Sequence, residues 1–185
     1  MVTGIAVTTD SEYIMAGTKD GLLNLYRVRD LVPHLQYSFE LRSLKDGSET
    51  RINSLIFLHD THVLCVGLDN GEIHLYSPPS SLGSIFSQVT SEKNELTLID
   101  EVHVGSPVIA MLDFISPFSQ SHILAYVTAD CRLNFHDLRA RSDVFSYDLG
   151  KEKGRPTCIS HGLHQTNTLL IGTSGGRIIV FDIRL

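Results

Sequence analysis

One hairpin written four times limits this fold more than any other feature of the chain, because a fixed repeat is the signature of a stacked architecture. The copies are "AGTKDGLLNLYRV" (16–28), "VGLDNGEIHLYSP" (66–78), "YVTADCRLNFHDL" (126–138) and "IGTSGGRIIVFDI" (171–183). Aligned on their turns, Gly21, Gly71 and Gly176 stand where a two-residue hairpin needs positive φ, preceded by Asp20, Asn70 and Gly175. Asp-Gly, Asn-Gly and Gly-Gly are strong hairpin signals for that reason. The third copy has Cys131 at this place, which predicts a wider or strained turn.

Each turn follows an almost continuously apolar run, "YIMAGT", "HVLCVGL", "HILAYVT" or "TLLIGTS", as expected of a strand buried on both faces. Each is followed by a more alternating run, "LLNLYRV", "EIHLYSP", "RLNFHDL" or "RIIVFDI", as expected of a half-buried strand. A further strand precedes each hairpin ("VTGIAV", "RINSLIFL", "PVIAMLDFI", "PTCISHGL"). A fourth candidate lies between repeats ("LQYSFEL", "LTLIDEV", "DVFSYDL"). The prediction is an all-β propeller of four-stranded antiparallel blades, at approximately 1–50, 51–106, 107–154 and 155–185. The turn positions recur at roughly 45–60 residues, near the period of a propeller blade. One blade cannot cover its own two apolar faces, and stacking covers them. Four blades, the last without an outer strand, predict an incomplete ring and a piece of a longer propeller. The Pro- and Ser-rich stretch 77–95 predicts a surface loop.

A net charge of −6 argues against a basic nucleic-acid surface. No apolar run is long enough to span a bilayer, and "MVTGIAVTTD" has neither the basic nor the apolar region of a signal peptide. Cys65, Cys131 and Cys158 are odd in number and widely spaced, giving neither a disulfide framework nor a zinc pattern and fitting a cytosolic compartment.

The ends of the third strands carry Tyr26, Tyr76, His136-Asp137 and Phe181-Asp182. With "AGTKDG" and "IGTSGG" these resemble the WD40 repeat, a small-residue strand and an Asp-Gly turn followed by an apolar strand closing on Trp-Asp. Tyr, His or Phe replaces the Trp here. In that family a strand hydroxyl, the turn acid, the Trp and an upstream His share a hydrogen-bonded network. Thr18, Thr128 and Thr173 match the hydroxyl, and Asp20 and Asp130 match the acid. The Gly-His dipeptide that supplies the histidine is missing. The order "ILAYVT", "DLR", "IGTSGG", "DIRL" is similar to the WD40 region of the regulatory subunits of class III phosphatidylinositol 3-kinases. That resemblance implies a non-catalytic scaffold acting in autophagy and endosomal or vacuolar sorting. It implies protein partners, the catalytic lipid kinase and a Beclin-type subunit, with no cofactor or metal and no nucleic acid. The implied location is cytoplasmic, peripheral on endosomal or autophagic membranes through the complex.

Several motifs point elsewhere and fail on context. Gly172-Thr173-Ser174-Gly175-Gly176 matches G-x-S-x-G, but a hydrolase elbow leads into a helix and needs a later histidine, and here a strand follows with none. "FHDLRAR" and "LDFI" lack the residues and order of a kinase catalytic loop and metal motif, so Asp113 and Asp137 are expected at strand ends. His161 and His164 have i, i+3 spacing at a strand end or loop rather than on a helix, with no nearby carboxylate, so an exposed connection is expected rather than a metal site. His74 and His136 fall inside strands and are expected as satisfied interior or half-buried histidines. Lys151, Lys153 and Arg155 are interrupted by Glu152, and the Phe-Arg-Arg-Gly phosphoinositide motif of some propellers is absent. The alternatives to a lipid-kinase scaffold are a general WD40 adaptor, such as a ubiquitin-ligase substrate receptor, and a serine hydrolase built on Ser174.

Overall fold

The structure, a computed structural model, describes residues 1–30, 32–77, 96–115, 121–161 and 168–183. Most of the predicted surface loop, and His164, lie outside them. Among the described residues, fifteen strands form four separate antiparallel sheets, each in chain order. The first holds β1 (Val2–Val7), β2 (Tyr13–Thr18), β3 (Leu22–Arg29) and β4 (Val32–Glu40). The second holds β5 (Ile52–Phe57), β6 (Leu64–Leu68), β7 (Glu72–Ser77) and β8 (Thr97–His103). The third holds β9 (Val108–Ile115), β10 (His122–Thr128), β11 (Arg132–Asp137) and β12 (Ser142–Asp148). The fourth has three strands, β13 (Pro156–His161), β14 (Thr168–Thr173) and β15 (Ile178–Asp182).

The turns share one geometry, and it is not the two-residue loop expected. The N–H of Gly21, Gly71, Cys131 and Gly176 donates to the carbonyl of Thr18, Leu68, Thr128 and Thr173 at 3.0–3.3 Å. Only those donor residues have positive φ, 75°, 83°, 69° and 70°. A two-residue type I′ loop requires positive φ at both central residues. A type I turn followed by one left-handed residue requires it only at the end, and this is what forms. The Cys131 turn is therefore no wider than the others; it carries a side chain in a conformation that favours glycine. The overlying connection explains the tolerance. A Cβ on Gly71 would lie 2.8 Å from Ser106 N, and one on Gly21 2.9 Å from the carbonyl oxygens of Leu41 and Thr50. Over Cys131 the chain passes as Gly154, whose carbonyl is 4.0 Å from Sγ.

The sheets pack face to face in sequence: first on second, second on third, third on fourth. Met15, Leu23 and Leu25 of the first meet Ile52, Leu55 and Val66 of the second. Ile73 and Leu75 meet Val108, Met111 and Tyr126 at the next junction. Leu133 and Phe135 meet Leu169 and Ile171 at the last. The first and fourth sheets do not pack on each other among the described elements.

The strands before the turns are buried on both faces in the first three sheets, and β14 exposes Leu170 because none of the described residues covers its outer face. The expectation of half-buried strands after the turns fails for β7 and β11, which are buried nearly throughout. Both middle sheets are covered on both sides, so the polar members of the alternation, His74, Asn134 and His136, are inside rather than facing water.

The close backbone approaches between sheets lie at the inner strands, β1 with β5, β5 with β9 and β9 with β13. Two glycines permit this: a Cβ on Gly17 would meet Ile52 Cγ2 at 2.6 Å, and one on Gly67 would meet Val108 Cγ1 at 2.7 Å. Polar ties accompany them. The Thr3 hydroxyl donates to the Ile52 carbonyl, and Asn53 Nδ2 donates to the Val108 carbonyl at 2.9 Å.

Candidate functional site

The turns of the first three sheets lie beneath the connections that run from one sheet to the next: the carbonyls of Leu41 and Thr50 close over Gly21, Ser106 over Gly71, Gly154 over Cys131. The turns hold residues singled out by the repeat. Leu22 N–H donates to Thr18 Oγ1 at 3.1 Å. The Thr128 hydroxyl donates to Asp130. The Thr173 hydroxyl donates to the Lys153 carbonyl at 2.7 Å. Asp20 and Asp130 are exposed at their turns.

The residues at the Trp position take different partners in each sheet. Tyr26 is half-buried. The Tyr76 hydroxyl lies 2.9 Å from His74 Nδ1, and His136 Nδ1 lies 2.8 Å from Asp143 Oδ1. Phe181 packs with its centroid 5.3 Å from that of Tyr147 and 6.0 Å from that of Phe135. Thr18 and Thr128 thus make local turn contacts and Thr173 reaches the preceding connection, and among the described residues the threonines do not join these aromatic positions in one repeated network.

Asp137 ends β11 as expected, with Oδ1 accepting Arg139 N–H at 2.8 Å and Ala140 N–H at 3.0 Å, and Oδ2 accepting the Ser121 hydroxyl at 3.0 Å. The Ala140 N–H, with the smaller help of Ser121 and Arg139, outweighs partial burial and holds its carboxyl below the ordinary carboxylate range. Asp137→Ala should cost about 1 kcal/mol, the size of a lost cap. That contribution is present above the unfolded carboxylate pKa and fades as pH falls through the lowered folded value. Thermal melts of both forms at pH 7 and pH 3 check it: the difference in Tm should shrink in acid.

Asp113 departs from expectation. It lies within β9, and its carboxylate accepts His59 N–H at 2.7 Å and faces His122 Nδ1 at 2.9 Å. It ties the β5–β6 turn of the second sheet to β10 of the third. His161 ends β13 and is exposed.

The strongest polar feature is one the repeat positions did not reveal. Glu72, His74 and Tyr76 alternate along β7, so all three face the first sheet. His74 Nε2 is 2.9 Å from Glu72 Oε2, completing a line from Tyr76 through His74 to Glu72. The Ser43 hydroxyl reaches Glu72 Oε1 at 3.1 Å, and Leu44 N–H reaches Oε2 at 3.2 Å, both from the connection between the sheets. Burial would raise the Glu72 carboxyl, but the hydrogen bonds led by His74 outweigh it and hold it below the usual range. Burial lowers His74, against the pull of Glu72, so the ring is neutral at pH 7. Burial also pushes Tyr76 up to about 12. One proton arrangement satisfies all of this: Tyr76 O–H donates to Nδ1, and Nε2–H donates to ionised Glu72. The E-x-H-x-Y spacing is the signal that could have identified it.

Above Glu72 lies a cleft of about 440 Å³, edged by Leu44, Lys45, Glu101 and His103. A second, of about 410 Å³, lies over the third and fourth sheets between Asp130, Lys151, Arg155 and Ser174. Ser174 Oγ accepts Arg155 N–H at 3.0 Å in the turn before β15. No histidine is bonded to it among the described residues, so the nucleophile geometry is absent there. No helix of the described residues is long and apolar enough to cross a membrane.

No protein-family model matches the sequence. The chain is 24% identical, over 193 aligned residues and 99% of its length, to the serine/threonine-protein kinase VPS15 of Komagataella pastoris, of which it spans 13%. Its structure is similar to the β-propeller domain of Cps50 (Swd1) from Myceliophteria thermophila, with a TM-score of 0.69 and 18% identity, covering 98% of this chain and 53% of that one. It is also similar to the computationally designed Ika8 protein, with a TM-score of 0.61 and 16% identity, covering 98% and 46%.

Proposed function

Taking a WD40-like β-propeller as the fold, we propose that the chain is a non-catalytic scaffold for protein–protein assembly, serving the regulatory subunit of a class III phosphatidylinositol 3-kinase. The observation that carries this is the likeness to VPS15, which runs along 99% of the chain. Geometry supports a binding role. Stacked sheets hold the turns and connections of one end in fixed relation, and loops on a rigid scaffold are where recognition concentrates. The two clefts at that end mix charges of both signs, which suits polar protein segments more than a polyanion. The proposed partners are the catalytic lipid kinase and a Beclin-type subunit, acting in autophagy and endosomal sorting, with membrane association through them.

Affinity capture from cell extract with the 185-residue chain, read by mass spectrometry, tests this. Both partners should be enriched at least tenfold over a control carrying Lys45→Glu and Arg155→Glu, charge reversals at the two cleft rims. Recovery of a cullin-type ubiquitin ligase in their place would move the chain to a general adaptor. Equal recovery by the control would remove the turn end as the binding surface.

A further inference from the structure

The run Lys151-Glu152-Lys153-Gly154-Arg155 alternates in charge, and as a flexible segment its charges would offset one another. The fold separates them instead. The connection that carries it is pinned along its length. Leu149 N–H donates to the Cys131 carbonyl at 2.9 Å, and the Lys153 carbonyl accepts the Thr173 hydroxyl at 2.7 Å. Arg155 and Ser174 exchange two hydrogen bonds: Ser174 N–H donates to the Arg155 carbonyl at 2.8 Å, and Arg155 N–H donates to Ser174 Oγ at 3.0 Å. Lys153 N–H and Gly154 N–H turn back onto the carbonyls of Gly150 and Lys151 at 3.2 and 3.1 Å. A backbone held this way starts its side chains from fixed points, which lowers the ordering cost of binding. The Glu152 carboxylate folds back onto Gly150, into the space that a Cβ there would need. Lys151 and Arg155 border the cleft of about 410 Å³ together with Asp130 and Ser174, and neither Glu152 nor Lys153 lines it.

Donors prevail in this cleft. Lys151 and Arg155 are exposed, and neither forms an ion pair among the described residues. Ser174 Oγ accepts Arg155 N–H, which leaves its own proton to donate. Asp130 is the carboxylate at the rim, and it accepts the Thr128 hydroxyl. Two cations against one carboxylate make the cleft positive, in a chain of net charge −6. The cleft above Glu72 has the opposite balance, with Glu72 and Glu101 against Lys45. The charged groups of the positive cleft all come from the third turn and the connection after it.

We propose that this cleft binds the phosphomonoester of a phosphorylated serine or threonine in a partner protein, with Arg155 and Lys151 on the phosphate oxygens and the Ser174 hydroxyl donating to one of them. This rests on the reading of the chain as a protein scaffold. Charge selects the ligand. A phosphomonoester carries about −1.5 to −2 at pH 7 and three acceptor oxygens, which two cations and a hydroxyl match. A carboxylate brings a single charge. Arginine pairs with phosphate through two parallel N–H bonds, and lysine adds a point charge. The Asp130 carboxylate at the rim opposes a continuous anionic surface such as a membrane. The cleft is of a size to take one phosphorylated side chain with its neighbours.

Fluorescence anisotropy on the 185-residue chain tests this, using a labelled degenerate peptide library fixed at phosphoserine and the same library fixed at serine or at glutamate. The phosphoserine library should bind at least tenfold more tightly than either. Arg155→Gln and Lys151→Gln should each weaken it about tenfold, the effect of losing one charged hydrogen bond. Lys153→Gln, outside the cleft, should leave it unchanged. None of the three replaces a buried residue, and circular dichroism should stay that of the wild type. Equal binding of the serine or glutamate library, or full binding by both cleft variants, would overturn the proposal. So would binding to phosphatidylcholine vesicles carrying phosphatidylinositol 3-phosphate, lost in the cleft variants, with no peptide binding. Phosphatase treatment of the extract before affinity capture separates this site from the scaffold reading. Partners lost only after treatment support the site. Partners retained after treatment overturn it and leave the scaffold. Phosphoserine binding with no partner captured supports the site and removes the scaffold.

Discussion

His74→Ala is expected to lower the unfolding free energy by about 3–5 kcal/mol, read by urea unfolding at fixed chain concentration, because it breaks a buried charged hydrogen bond without removing the charge. Glu72 stays ionised and loses the strongest of its hydrogen-bond partners, keeping among others the Ser43 hydroxyl and Leu44 N–H. The Tyr76 hydroxyl loses its acceptor, a separate penalty of about 1–3 kcal/mol for a buried unpaired group. Glu72→Gln keeps the shape and an acceptor for His74 and should cost only about 1 kcal/mol. The pH dependence has a fixed sign. Both Glu72 and His74 have folded pKa values below their unfolded ones. In each window the unfolded chain binds the extra proton, so stability is full above the His model value of 6.5 and falls as pH drops below it. The Glu72 contribution follows below 4.5. The alanine variant should lose less stability than the wild type between pH 7 and pH 5. A cost under 1 kcal/mol at pH 7 would mean that water or a rearranged Ser43 takes over the site.

Gly71→Ala should cost about 3 kcal/mol, and Cys131→Gly, at the equivalent position of the next sheet, should change stability by no more than about 1 kcal/mol. The alanine adds left-handed strain at φ 83° and a Cβ 2.8 Å from Ser106 N and 3.0 Å from its O. Those are backbone atoms, which cannot swing aside as a side-chain end can. At Cys131 the strain is already present and the Gly154 connection has made room, so relief of strain and loss of a buried Sγ nearly cancel. Equal costs at the two positions would show that the overlying connection is soft.

The hairpins were legible because their signal is local: a turn glycine between an apolar and an alternating run. The turn type was not, because Gly21 or Gly71 as the last residue of a three-residue loop reads like the second residue of a two-residue one. Burial of β7 and β11 on both faces depends on neighbours in other sheets, such as Val108 for Ile73 and Leu169 for Leu133, so half-burial was the natural inference from His74 and Asn134. Asp113 was misplaced for a similar reason, since its partner His59 lies in another sheet. Glu72 went unnoticed because its donors Ser43 and Leu44 are 29 and 28 residues upstream. The placement of His74 and His136 inside strands was legible, and both have partners.

The glycines of the inner strands also act as a wedge. Gly4 and Gly17 face the second sheet from β1 and β2, while Tyr37 and Phe39 on β4 fill the same side at the rim. Thin near the axis and thick outside, such a layer makes successive sheets splay instead of stacking flat, and the taper per layer fixes the angle between them. The number of layers needed to complete a turn is then encoded in side-chain volume. Enlarging an inner position would flatten the fan and call for more layers, and trimming the rim aromatics would do the same. Blade count in this architecture is therefore a property of residue size at a few positions, and not of the repeat number alone.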